Sequence, residues 1–383
     1  MATASEVPGS GRPGSLVVFA FVGTLDFRGR LRKEIATLRG AGVACRLVLG
    51  EIGERRPREE DYDFPIEVLR VPCFKGKVRY FLHQLRYAWR AGRRIADLAP
   101  QAVVCVGLDC ALAGVVAKWF RPGIRLIFDS NELYLESMNS RVRRMVWNPL
   151  QTMVLKACDG IFHAEANRME YFKRTYGRKD KPQLVVENFP DYHVGEARVA
   201  PSDGPLKVIY LGALGGDRYT HELIAAGMAM EGVIELDLVG FATPEVMADL
   251  ERRYGARPAP NIRILPAVAY HDIPELLRSY HIGIALYKNT NLNNYYCAPN
   301  KVYDYLMSGM AVIANDYPGL RKVIEGNRVG ACVADLTPAS FEGAVRRIAE
   351  ERCWDNITDA IRRKYCWEAQ EAQLVDAVLG VKR

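Results

Sequence analysis

Continuous apolar, β-branched runs of four to eight residues recur along this chain with helix-length segments between them, and the whole pattern occurs twice. In the first half the runs fall at 15–22 (SLVVFAFV), 43–49, 66–71, 102–106, 124–128 and 160–163. In the second they fall at 206–211, 234–239, 262–265, 282–286, 311–314 and 330–334. A strand that is apolar on both sides has to be covered on both sides. With helices alternating between such strands, a parallel sheet wound between two helical layers does this. The fold class expected is therefore α/β, with two doubly wound domains. A chain of 383 residues is also too long for one core. The polar, Gly- and Pro-bearing stretch DYHVGEARVAPSDGPLK, after Pro190, is expected to link the two. The expected domains are 1–190 and 191–365, followed by a closing segment 366–383. Two such domains leave a cleft between them, which is a default place for a ligand.

Charge is shared unevenly. Residues 1–190 hold 31 Lys and Arg against 20 Asp and Glu, and the remainder hold 21 against 25, within a net charge of +7. A basic first half points to an anionic partner, either a membrane surface or a phosphorylated molecule; no nucleic-acid partner is expected. Segment 78–98 (VRYFLHQLRYAWRAGRRIADL) has apolar residues near helical spacing and five arginines before its first acid, Asp97. Such a helix can lie on an anionic bilayer, or it can simply pack with a solvated basic side. No apolar run approaches the roughly 20 residues that span a bilayer, and the first fifteen residues have no apolar leader core. A cytoplasmic protein, peripheral at the inner membrane face at most, is expected. The nine cysteines form no C-x-x-C pair and mostly sit inside apolar runs, so they read as buried free thiols. The histidines show no metal-ligand spacing, and no metal cofactor is expected.

Chemistry concentrates in three stretches. Residues 289–320 read NTNLNNYYCAPNKVYDYLMSGMAVIANDYPGL. Pro299 suits a first helical turn, Val302, Tyr305 and Leu306 make its buried side, and Ser308-Gly309 stops it before an apolar strand. Asn300, Lys301 and Asp304 lie at the helix start. Free helix N–H groups and Lys301 would hold an anion, and Asp304, one turn on, can accept a pair of hydroxyls; phosphate beside a vicinal diol describes a nucleotide. The plain alternative is a Lys301–Asp304 surface ion pair. The strand 206–211 runs into Gly212-Ala213-Leu214-Gly215-Gly216-Asp217-Arg218 before a helix from about Thr220. Glycines let backbone approach a ligand there, and the Arg218 guanidinium can grip two phosphate oxygens. No G-x-G-x-x-G and no P-loop is present. The third stretch, 125–135 (RLIFDSNELYL), carries Asp129, Asn131 and Glu132 to the carboxyl end of a strand, where α/β folds bind ligands. A helix N-cap role for Asp129 or Ser130 competes with that reading.

FDSNELY (128–134), NFP (188–190), YLGALGGDRYTHELIAA (210–226) and APNKVYDYLMSGMAVIAND (298–316) together resemble the retaining glycosyltransferases of the GT-B type, specifically group 1, or family 4. ILPAVAYHDIPELL (264–277), HIGIALYK (281–288) and YCWEAQEAQLVDAV (365–378) support the resemblance, which covers most of the chain. It implies two Rossmann-like domains: an N-terminal acceptor-binding one and a C-terminal one for a nucleotide sugar, with the last helix crossing back onto the first. It implies that Gly212, Ala213, Arg218 and Lys301 bind the donor diphosphate, that Asp304 takes the ribose hydroxyls in place of the usual Glu, and that backbone near Val268 meets the base. The family's first glutamate, which contacts the donor sugar, corresponds to Tyr296. Asn131 stands where His is common, and an amide cannot shuttle protons.

The activity implied is transfer of a sugar from a nucleoside diphosphate with retained anomeric configuration. Arg218 and Lys301 would stabilise the leaving diphosphate without a bivalent metal, and Asn131 and Glu132 would orient donor or acceptor. A lipid-linked glycan acceptor at a membrane fits the basic first half, and a soluble small molecule is the alternative. Two other readings stay open: a nucleotide-sugar epimerase on the same architecture, and a non-catalytic nucleotide-binding relative.

Overall fold

The computed structural model describes residues 15–23, 29–51, 62–70, 77–138, 141–193, 204–255, 257–297 and 299–381. The chain divides into two compact units, one made of residues up to 188 together with 370 onward, the other of residues 189–369. Most of the expected linker (194–203) lies outside the described residues.

The first unit is built on seven parallel strands: β1 (Leu16–Val22), β2 (Ala44–Glu51), β3 (Ile66–Arg70), β4 (Ala102–Val106), β5 (Arg125–Ser130), β6 (Gly160–His163) and β7 (Gln183–Val185), in the order β3-β2-β1-β4-β5-β6-β7. The second has six, again all parallel: β8 (Leu206–Leu211), β9 (Ile234–Val239), β10 (Ile262–Leu265), β11 (Ile282–Ala285), β12 (Ala311–Asn315) and β13 (Gly330–Val333), in the order β10-β9-β8-β11-β12-β13. Central strands are inaccessible on both sides, as in Val17–Ala20 and Ala102–Cys105. Each fully buried branched side chain contributes about 1.5–3 kcal/mol, so such strands have no polar alternation to show. Strand β7 is the exception. It is a three-residue, half-buried edge, too short to stand out within 183–190.

In both sheets the strand order reverses once, between β1 and β4 and between β8 and β11. Loops leaving the carboxyl ends of strands diverge at such a point and open a crevice for ligands. In the first unit the helices Lys77–Leu98, Leu108–Phe120 and Arg141–Ala157 lie side by side along the sheet. The helix Gly29–Gly40 is joined to the closing segment by Thr37, whose Oγ1 donates to Glu371 at 2.7 Å. Gln370 clamps that segment by accepting from the Glu187 amide at 3.0 Å and donating to the Glu187 carbonyl at 2.6 Å.

The helix that leads into β12 spans Asn300–Met307, with Pro299 at its N-cap rather than in its first turn, and it stops at Ser308 before Gly309 at φ +76°. Asp129 and Ser130 are no N-caps either; they are the last two residues of β5 and are buried. The eight described cysteines are free thiols, seven of them buried. Among the described residues no helix is long and apolar enough to cross a membrane.

Candidate functional site

The turn after β8 lies on one side of the second unit's reversal point, and its backbone is almost fully committed. The Gly212 amide donates to the Val239 carbonyl at 2.9 Å, Leu214 to Phe241 at 2.9 Å, and Arg218 to Gly215 at 3.1 Å. The Tyr210 hydroxyl donates to the Ala213 carbonyl at 2.9 Å, while the Ala213 amide has no partner among the described residues. Gly212 has φ +140°, and a Cβ on Gly240 would come within 1.6 Å of the Gly212 carbonyl oxygen. Glycine at both positions lets β9 and this turn meet backbone to backbone. Arg218 ends the short turn Gly216–Arg218, ahead of the helix Thr220–Met228.

The helix Asn300–Met307 lies on the other side. It is anchored by Tyr305, whose hydroxyl accepts from the Leu211 amide at 3.1 Å and donates to the Ile284 carbonyl at 3.3 Å. Room for that ring comes from Gly283, where a Cβ would stand 2.3 Å from it. The anchor brings Lys301 to the glycine turn, since a Cβ on Gly212 would lie 3.2 Å from Lys301 Nζ.

Lys301 Nζ is buried and has no hydrogen-bond partner among the described residues. It stands 4.1 Å over the Tyr210 ring and 5.0 Å over the Tyr287 ring, and the Arg218 guanidinium carbon lies 4.7 Å over Tyr287. Tyr287 is itself held, its amide donating to Asn315 at 2.6 Å and its carbonyl accepting from Tyr317 at 2.7 Å. Burial, and then the neighbouring Arg218, push the Lys301 ammonium down to about 7. Ring faces compensate a cation by about 2 kcal/mol, less than loss of water costs it. With Nζ buried and making no hydrogen bond among the described residues, the surface ion pair with Asp304 is not formed. What the arrangement lacks is an anion, and two cations beside glycine backbone and a helix N-terminus suit a diphosphate.

The remaining donor-side residues spread around this centre. Asp304 lines a cavity of about 100 Å³ with Asp191, His193, Tyr270 and Ser308. Asn300 and Val268 are exposed. Tyr296 packs on Tyr295, ring centroids 4.9 Å apart, and Tyr295 continues to Tyr317 at 5.3 Å. The structure thus groups Gly212, Arg218 and Lys301, and adds Tyr210 and Tyr287. Sequence reading missed both tyrosines as site residues. Their positions, at the ends of the adjacent strands β8 and β11, were the available signal.

In the first unit, Asn131 is held rather than free. Its Oδ1 accepts from Arg30 at 2.6 Å and its carbonyl from Arg168 at 2.7 Å. Arg30 also donates to Asp129 and to Glu34, each at 2.8 Å, and both carboxylates are 1% exposed. Burial raises Glu34 to about 7, against the pull of Arg30, and Asp129 adds to the rise. Glu132 is exposed. Arg30, Glu34 and Arg168 were not foreseen as site residues. A cation in a helix's first turn opposes the helix dipole, and that misfit was the one hint. Among the described residues no group of three or more His, Cys, Asp or Glu is placed to hold a metal.

Residues 30–188 match the family described as a glycosyl transferase 4-like domain, and residues 206–351 match the one described as glycosyl transferases group 1. No curated protein matches the sequence significantly. Among solved structures, the lipopolysaccharide outer core galactosyltransferase WaaB in apo form superposes with a TM-score of 0.71 at 12% identity, covering 95% of this chain and 99% of that one. HepE of Anabaena, solved with UDP and glucose, gives 0.72 at 13% identity over 96% and 100%. A sucrose-phosphate synthase from Thermosynechococcus elongatus gives 0.70 at 15% over 94% and 97%. At such identities the likeness is one of fold, and the fold is GT-B.

Proposed function

The chain belongs to the group 1, family 4-like glycosyltransferases of the GT-B fold, enzymes that use nucleotide sugars, and we propose that it transfers a sugar from a nucleoside diphosphate to its acceptor with retention of anomeric configuration. The observation that carries this reading is the buried Lys301 Nζ, without a hydrogen-bond partner among the described residues, beside Arg218 and Gly212. HepE was solved with UDP and with UDP-glucose, which supports a nucleoside diphosphate donor here.

In this reading the diphosphate lies against Lys301, Arg218, the Ala213 amide and the first amides of the helix Asn300–Met307. As the glycosidic bond breaks, charge grows on the leaving diphosphate. Lys301 and Arg218 meet it from positions already fixed by packing, so little reorganisation is needed and no bivalent metal takes part. Asp304 takes the ribose hydroxyls, backbone near Val268 meets the base, and Asn300 and Tyr296 flank the donor. Retention follows from attack by the acceptor on the side from which the diphosphate departs. Asn131, fixed by Arg30 and Arg168, and Glu132 orient the reactants. The acceptor is held at a membrane, in keeping with the basic first unit.

The test is the pair Arg218→Ala and Lys301→Ala, assayed for donor hydrolysis and transfer. Each should lower kcat/KM by about 100-fold or more, since a lost charged donor in a dry site costs roughly 3–4 kcal/mol. EDTA should leave wild-type turnover unchanged. Unchanged rates in both variants would sink the assignment, and donor binding without any turnover would sink the transfer step.

A further inference from the structure

The first unit carries a surface that the transfer site leaves unused. Its centre is an aromatic pair, Trp89 and Phe120, stacked edge to face with centroids 5.5 Å apart, both about half exposed. Trp119, beside Phe120 in sequence, is 64% exposed and lines a shallow groove between the helices Leu108–Phe120 and Arg141–Ala157, together with Pro149, Met153 and Lys156. Leu82 and Leu85 extend the apolar stripe one and two turns along the helix Lys77–Leu98, and Met145, 76% exposed, adds to it from the third helix. A monomer surface normally scatters such side chains singly.

The charge around them has one sign. The helices Lys77–Leu98 and Arg141–Ala157 contain ten Lys and Arg and a single acid, Asp97. Arg94 is paired with Glu67. Arg86, Arg90 and Arg93 are exposed, and among the described residues no carboxylate pairs with them; Arg93 instead lies 5.2 Å over the Phe120 ring. Tryptophan beside long aliphatic side chains, ringed by exposed arginines, matches the boundary between lipid headgroups and acyl chains. A nucleic acid would use the arginines but gains nothing from Leu82 or Met145. A protein partner would need a matching acidic rim, and this chain's own first unit is basic.

We propose that this three-helix surface docks the enzyme on an anionic lipid bilayer, Trp119 and Phe120 entering the headgroup layer and Arg86, Arg90 and Arg93 meeting lipid phosphates. The proposal rests on the transferase reading only for its purpose, which is to bring the donor site to an acceptor held in the membrane.

Flotation of the full chain, without donor, on phosphatidylcholine vesicles with and without about 30% phosphatidylglycerol tests it. Wild type should float with the anionic vesicles at low salt, shift its tryptophan emission to the blue, and be released by added salt. The triple variant Arg86→Gln, Arg90→Gln, Arg93→Gln should partition at least tenfold less, and so should Trp119→Ser with Phe120→Ser. Both should keep wild-type donor hydrolysis, which shows that they fold. Wild type that ignores anionic vesicles, or variants that float equally well, would overturn the proposal. So would a dimer that dissociates in the Trp119→Ser, Phe120→Ser variant without vesicle binding, since the surface would then belong to a second copy. Flotation without donor turnover would count against the transferase and leave the docking surface standing.

Discussion

Lys301, proposed to meet the donor diphosphate, shows at one residue how such a role would oppose stability. Its ammonium is buried among Tyr210, Tyr287 and Arg218 with no counter-ion among the described residues, so the free protein holds it near 7 instead of 10.5. Because the folded value is depressed, the unfolded chain binds more protons between about 7 and 10.5, and the penalty is full below pH 7 and fades as pH rises through that window. Lys301→Met should therefore raise stability by roughly 2 kcal/mol at pH 6 and by little at pH 10, read as the difference in Tm across a pH series. Binding should show the reverse dependence. A diphosphate restores the charged form, so at pH 8 a nucleoside diphosphate sugar should bind with uptake of up to one proton, and its affinity should fall as pH rises above 7. Calorimetry in buffers of different ionisation enthalpy measures that uptake, and Lys301→Met should abolish it. A wild type that takes up no proton would mean Lys301 does not meet the donor. Glu34 invites a second test, since its folded value is raised. Its contribution is lost as pH climbs through about 7, so Glu34→Gln should flatten the fall in stability between pH 4.5 and 7.

At the scale of elements, what was legible follows from how each residue earns its place. Strands such as Ala102–Val106 and Ala311–Asn315 are buried on both sides, so local composition alone marks them. The glycine turn after β8 and the helix start at Asn300 were legible too, because φ values and free amides at such points demand particular residue types. Arg30 was not. Its burial depends on Asp129 and Asn131, about a hundred positions away, and a local reading sees only a basic helix start. Tyr210 and Tyr287 look like ordinary core until β8 and β11 are known to be neighbours. Two substitutions probe these elements. Gly240→Ala would drive a methyl into the Gly212 carbonyl and should cost at least 2 kcal/mol while weakening donor binding, seen together in Tm and in a titration. Arg30→Met leaves Glu34 and Asp129 buried without their cation, and should lower stability by about 3–5 kcal/mol at neutral pH in urea unfolding, with less loss at pH 4 where Glu34 is protonated. An Arg30→Met protein as stable as wild type would show that the cluster is dispensable.

For the whole molecule, two sheets of the same design carry different duties. The reversal in the second sheet holds the desolvated cations, while that in the first lies near a neutralised cluster of Arg30, Asp129 and Asn131. On the proposed reading, Lys301 and Arg218 face the donor on one unit, and the other unit turns exposed arginines outward on the three-helix surface. Donor binding and membrane docking should accordingly be separable by mutation. The most direct measurement is a calorimetric titration of wild type and Lys301→Met with UDP and with GDP. At least one nucleotide should bind wild type, and the variant should bind it about 100-fold or more weakly while melting no lower, a loss of roughly 3 kcal/mol confined to the complex. Equal affinity in the two proteins, or no binding of either nucleotide to wild type, would contradict the assignment of that buried lysine to the donor diphosphate.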